Sequence, residues 1–114
     1  MLAKKNRLGK KGLNQLRTSN PRVIHSLLIT IKFARSSEPE SVFAAAVIVP
    51  ARVSKKAVVR NRIRRKIYSF LQTHLSTLPA TLRLLILVKR LPTEEEECEL
   101  NSRLERILQQ CIPI

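Results

Sequence analysis

Residues 55–71 read KKAVVRNRIRRKIYSFL, and the reading of this stretch decides the fold. Wound as a helix, at about 100° per residue, it puts Val59, Ile63, Ile67 and Phe70 on one side. Arg60, Asn61, Arg62, Arg64, Arg65 and Tyr68 fan around the other. One face is fit for a core. The other, with Lys55, Lys56 and Lys66, holds a dense positive field. Solvated helix faces usually mix signs, whereas this one contains no acid. Like charges at i and i+4, such as Arg60 and Arg64, repel by a few tenths of a kcal/mol per pair, roughly. An anionic partner would offset that repulsion.

The helix needs a sheet to sit on, and the flanking sequence supplies one. Residues 23–34 alternate as a strand, with Leu27, Ile29, Ile31 and Phe33 on one face and Leu28, Thr30 and Lys32 on the other. RSSEPE, 35–40, is a turn cluster. Residues 41–49 form a second strand, whose Ala44, Ala45 and Ala46 invite close approach by a neighbour. The short link predicts an antiparallel hairpin between these two strands. TLRLLILVK, 81–89, is a third strand, apolar on both faces and therefore central.

Helices close both ends of the chain. Residues 10–17 form a short helix with Leu13 and Leu16 inward, ended by Thr18-Ser19-Asn20-Pro21. Residues 1–9 read as a flexible basic tail. At the other end Thr93 and Glu96 form a capping box, and the Glu94–Glu97 run suits the positive end of a helix dipole. Leu100, Leu104, Ile107, Leu108 and Cys111 continue that helix at core spacing. The whole is one α+β domain over residues 1–114, a sandwich with helices on a mixed sheet.

Charge narrows the function. The net charge is +14, divided as +18 over residues 1–90 and −4 over the remainder. A basic body with an acidic end implies a polyanion partner. No apolar run approaches the roughly 18–20 residues of a membrane span. MLAKKNRLGKKG lacks the apolar core of a secretory signal, although its basic, acid-free start also fits a mitochondrial targeting segment. Cys98 and Cys111 lie about 20 Å apart along one helix, too far for a disulfide, so both read as free thiols of a reducing compartment. His25 and His74 are isolated, and no Cys/His spacing matches a zinc site.

No catalytic set is present. A protein nuclease needs carboxylates for metals or an acid–base set at a phosphate. The basic body has only Glu38 and Glu40. There is no phosphate-binding P-loop and no nucleophile elbow. The residues describe a binding module for nucleic acid. No second helix sits where a helix-turn-helix would require it, and a lone basic helix on a sheet suits structured RNA. Duplex DNA and anionic membrane remain the rival polyanions at this level.

Ala57-Val58-Val59-Arg60-Asn61-Arg62-Ile63-Arg64-Arg65, preceded by Val53-Ser54-Lys55-Lys56, resembles the RNR signature of the bacterial ribonuclease P protein component family. The surroundings resemble it too: a basic N-terminus with a short helix, a strand ending in Leu87-Val88-Lys89-Arg90, and an acidic-started terminal helix. The resemblance implies a two-layer α/β sandwich of order α-β-β-β-α-β-α, like the second domain of ribosomal protein S5. It also implies a left-handed strand–helix–strand crossover, against the usual rule. It implies an accessory subunit of an endoribonuclease that removes the 5′ leader of precursor tRNA. The catalytic site and its Mg²⁺ would belong to the RNA subunit. The protein would be cytoplasmic, monomeric apart from the RNA, and engage neither DNA nor membrane. A structural, ribosomal-type RNA-binding protein is the alternative.

Carried over by position, Lys55, Lys56, Arg60, Asn61, Arg62, Arg64, Arg65 and Lys66 would bind RNA. Leu13, Thr30, Lys32, Phe33, Arg52 and Tyr68 are the candidates for the leader cleft, with Tyr68 either stacking on a base or filling a gap. The sequence departs from the family in having Leu13, Leu16 and Arg17 where the first helix commonly carries Phe. Thr30 stands where the cleft strand commonly carries an aromatic. Pro50-Ala51-Arg52 replaces Ser-Lys-Lys after the strand.

Overall fold

The computed structural model describes residues 4–18, 20–35 and 42–111, with only the backbone of Lys4 and Cys111. After a 3-10 turn, Lys4–Asn6, the chain forms α1 (Lys10–Thr18), β1 (Arg22–His25), β2 (Ile29–Arg35) and β3 (Ala44–Ile48). There follow α2 (Ala57–Thr73), a second 3-10 turn (Leu75–Thr77), β4 (Leu82–Val88), α3 (Glu94–Cys98) and α4 (Leu100–Cys111). The described strands form one sheet of order β1-β2-β4-β3. β2 is antiparallel to both β1 and β4, and β3 is parallel to β4. The mixed sheet and the β3–α2–β4 unit agree with the expected α+β class.

Three expectations about connection fail. The stretch 23–34 is two strands, because Ser26 turns the chain: its amide and hydroxyl both donate to the Ile29 carbonyl, at 2.9 and 2.8 Å. Leu27 stands exposed at the tip of that turn. The expected hairpin between 23–34 and 41–49 does not form, because β4 lies between them. LRLLILV buries Leu82, Leu84, Ile86 and Val88 on one face and Leu85 on the other, so it gains most from an interior position, and β3 is left at the edge. The terminal helix is two helices, with a turn at Glu99.

The edge of β3 is covered rather than open. The Leu8 amide donates to the Ala45 carbonyl at 2.9 Å, and Arg7 bridges to Ala45 in parallel. Asn6 is buried, and its Nδ2 donates to the Phe43 carbonyl at 2.7 Å. Residues 4–8 are therefore docked along the sheet and are no flexible tail; residues 1–3 lie outside the described part. Such cover removes a template for edge-to-edge pairing.

Core composition follows the register. Ile31, Ile86 and Val47 lie abreast on one face. They share a cluster with Ile63, Ile67, Phe70 and Leu71 of α2 and with Leu100, Leu104 and Leu108 of α4. Ile67 and Leu71 are fully buried, and burying each such side chain contributes about 1.5–3 kcal/mol. On the other face Leu16 of α1 packs with Ala46 and Leu85, with Leu13, Ala34 and Ile48 beside them. The small Ala46 admits α1 here, as its size predicts. The Thr93 hydroxyl accepts from the Glu96 amide at 3.2 Å, and the Glu96 carboxylate accepts from the Thr93 amide at 3.0 Å, which completes the capping box.

Candidate nucleic-acid interface

α2 owes its position to the arc Ile63–Ile67–Phe70–Leu71, which is broader than the sequence face suggests. The arc also takes in Tyr68. That ring belongs to the main cluster, and its hydroxyl accepts the Val47 amide at 3.2 Å, on the outer side of β3. Tyr68 thus fills a gap and closes an edge; its ring is not displayed on the basic face. Phe33 is corrected in the same way. It lies abreast of Leu84 and Ala45 on the α2 side of the sheet and is buried. Leu13, Thr30 and Lys32, by contrast, are all on the α1 side. Thr30 is buried, with its hydroxyl 3.4 Å from His25 Nδ1, and Lys32 is half-buried. Arg52 is exposed on the turn that leads into α2.

With its back in the core, α2 presents two flanks and a crest. The flank nearest β3 carries Asn61 and Arg64, two turns and one turn before Tyr68. Arg64 Nη1 donates to Asn61 Oδ1 at 2.8 Å. Arg60 Nη1 donates to the Ser54 carbonyl at 2.7 Å and ties the lead-in to the helix. These partners are neutral, so both guanidinium groups keep their charge while their geometry is fixed.

The opposite flank meets the acidic end of the chain. Glu97 of α3 accepts from Arg62 Nε at 3.1 Å and lies 3.6 Å from Lys66 Nζ. The acid missing from the α2 sequence is thus supplied from another element. Helical spacing could not have found it, because the pairing spans 35 positions. On the crest Arg65 is exposed, and Lys55 and Lys56 are exposed before the first turn. Among the described residues these three have no ion-pair partner. Of the positions expected to bind RNA, Lys55, Lys56, Asn61, Arg64 and Arg65 share one accessible surface with Arg60. Arg62 and Lys66 sit across the crest, held by Glu97.

Below that flank is a groove between α2 and α3–α4, of about 580 Å³, bordered by Arg62, Arg65, Lys66, Ser69, Glu97 and Asn101 among others. Its rim joins the rest of the acidic end. Arg90 grips Glu96 through two bonds, 2.7 and 2.5 Å long. The Arg90 bonds, with the Thr93 amide, hold the Glu96 carboxyl down at about 2, well below the usual carboxylate range. Among the described residues no three His, Cys, Asp or Glu side chains gather as a metal site, and no helix is long and apolar enough to cross a membrane. Cys98 is a free, exposed thiol; the Cys111 side chain lies outside the described part.

The chain is similar in fold to solved bacterial proteins. Superposed on the RNase P protein from Staphylococcus aureus, it covers 93% of this chain and 94% of that one, with a TM-score of 0.76 and 16% identity. For the RNase P protein from Thermotoga maritima the shares are 95% and 98%, the TM-score 0.72 and the identity 13%. In sequence, 67 residues are 34% identical to the ribonuclease P protein component of Prochlorococcus marinus (strain MIT 9303), spanning 57% of this chain and 52% of that relative. The matched region is thus about half the length of the curated relative. The sequence model of the family described as Ribonuclease P matches residues 2–112. With nearly the whole chain matched, the RNR helix in place and the same sheet beneath it, this protein belongs to the ribonuclease P protein family.

Proposed function

We propose that this chain is the protein subunit of a ribonuclease P ribonucleoprotein, which removes the 5′ leader of precursor tRNA by endonucleolytic cleavage. The observation that carries the reading is α2. Its apolar side is locked into the core, while Arg60, Asn61, Arg64 and Arg65 are displayed without a competing acid. Guanidinium forks at fixed spacing suit the phosphates of a folded RNA. The partner is accordingly the ribonuclease P RNA, with precursor tRNA as the shared substrate. Leu13, Lys32 and Arg52 are the remaining leader candidates, and contact there is chiefly electrostatic, through Lys32 and Arg52, because Thr30, Phe33 and Tyr68 are buried.

The protein's role is to bind and orient. Mg²⁺ supplies the charge stabilisation that cleavage of a phosphodiester requires, and in this reading the RNA holds it. The protein's donors do not fit that ion, since Glu97, the carboxylate against α2, is engaged by Arg62 and Lys66. Neutralising RNA phosphates with the basic face lets the complex form at lower Mg²⁺. A cytoplasmic location follows from these RNA partners.

The test is cleavage of precursor tRNA by a bacterial-type ribonuclease P RNA at low Mg²⁺, with and without the protein. Cleavage at the mature 5′ end that requires the protein, and that fades with the Arg64→Gln/Arg65→Gln double variant, is expected. RNA binding with no change in cleavage would overturn the reading in favour of a structural RNA-binding protein of the ribosomal type.

A further inference from the structure

We propose that Glu97 is a built-in competitor for RNA phosphate, which silences the Arg62–Lys66 flank toward RNA that does not fit the rest of the helix. The inference rests on the RNA-binding reading above and adds to it a residue that sets specificity.

The geometry is asymmetric. One carboxylate oxygen, Glu97 Oε1, takes both Arg62 Nε and Lys66 Nζ, at 3.1 and 3.6 Å. The Glu97 side chain is only 15% exposed, whereas those of Arg62 and Lys66 are 54% and 45% exposed. The acid is seated and the cations reach out to it from solvent. The seat is the α3 turn, itself fixed by the capping box at Thr93 and by the Arg90–Glu96 pair. A phosphate approaching this flank therefore meets cations that already have an oxyanion in hand, and must exchange with it. On the β3-facing flank no exchange is needed, because Arg60 and Arg64 are held by neutral oxygens.

The consequence separates two kinds of binding. Non-specific attraction follows the number of free cations that a polyanion can neutralise. The single carboxylate offsets one of the two positive charges, and lowering that number by one weakens binding to any RNA strand. A folded RNA shaped to the Arg60–Arg64 flank and the crest relies less on Arg62 and Lys66, and loses less. Glu97 thus widens the gap between fitting and non-fitting RNA, by making the wrong contacts cost an ion pair.

The experiment compares full-length protein with its Glu97→Gln variant for binding to poly(U) and to a bacterial-type ribonuclease P RNA across a salt series. Gln keeps the size and removes the charge. Glu94→Gln is the control, since Glu94 makes no ion pair among the described residues and the change in net charge is the same. Glu97→Gln should tighten poly(U) binding about three- to tenfold and steepen its salt slope by about one unit. The gain for the structured RNA should be smaller, and Glu94→Gln should change both only slightly. Adding Arg62→Gln to Glu97→Gln should erase most of the gain. Thermal unfolding of each variant shows whether the fold is retained. If Glu97→Gln matches Glu94→Gln in affinity and slope, or weakens binding, Glu97 is no competitor and the RNA-binding reading stands. If a loss of fold accompanies Glu97→Gln, Arg62 and Lys66 decide: their double Gln variant, with Glu97 intact, should lose clearly less poly(U) affinity than Arg64→Gln/Arg65→Gln, which removes the same charge with no acid at hand, and an equal or greater loss overturns the proposal. Failure of the unaltered protein to bind either RNA would overturn both.

Discussion

Replacing Tyr68 by Phe should destabilise the protein without weakening its grip on RNA. The ring remains and the apolar burial is unchanged. What is lost is the hydroxyl that accepts the Val47 amide, at 3.2 Å. Val47 is 6% exposed and Tyr68 9%, so water has little access to the orphaned donor. A buried amide left without a partner costs about 1–3 kcal/mol. The bond is at the long end of the normal range, which favours the lower half, about 1–2 kcal/mol. For a chain of this size, with a urea dependence of about 1–2 kcal/mol per molar, the unfolding midpoint should fall by about 1 M. Urea unfolding followed by far-UV circular dichroism reads that shift. RNA affinity, measured without denaturant, should stay within about twofold, less than 0.5 kcal/mol. An unchanged midpoint would refute the hydrogen-bond argument. A retained midpoint with lost affinity for leader-bearing RNA would show that the hydroxyl works at the surface after all.

Leu104→Ala, at a fully buried position of α4 in the main cluster, should cost about 2–5 kcal/mol in urea unfolding, with a value under 1 refuting its place in the core. The Arg64→Gln/Arg65→Gln variant should flatten the salt dependence of RNA binding by about one to two units, because each group is free to meet a phosphate; an unchanged slope would remove both from the interface. Stability should fall in acid through Glu96. Its carboxyl is held at about 2 by Arg90 and the Thr93 amide, against an ordinary 4.5. The contribution is therefore complete above the ordinary value and is lost as the pH falls through the lowered one. Urea midpoints between these limits should decline less steeply in Glu96→Gln than in the unaltered protein, and parallel declines would refute the assignment.

Much of the candidate interface is legible in the chain because local rules govern it. The helix over 57–73 follows from apolar spacing, and its basic character needs no tertiary information. The capping box at Thr93 and Glu96 is a three-residue pattern with a fixed geometry. The α+β class and the interior place of LRLLILV follow from apolar periodicity and from a strand apolar on both faces. The turn at Ser26 is less visible, since neither Gly nor Pro marks it and a serine side chain does the work.

What only the tertiary structure decides are the contacts between distant segments. β4 separates β2 from β3 because the sheet buries most apolar surface that way, and a short link between two strands cannot announce a third that enters later. Residues 4–8 are ordered by the open edge of β3, which exists only once that strand is outermost. Tyr68 stands on the basic arc of a helical wheel, yet the arc that enters the core is set by where β3 ends up. Glu97 makes the same point in charge. The stretch from Lys55 to Lys66 shows seven cations and no acid, and folding brings an acid to Arg62 from 35 residues away. Sequence determines which groups a helix carries; the packing of its neighbours determines which of them are left for a partner.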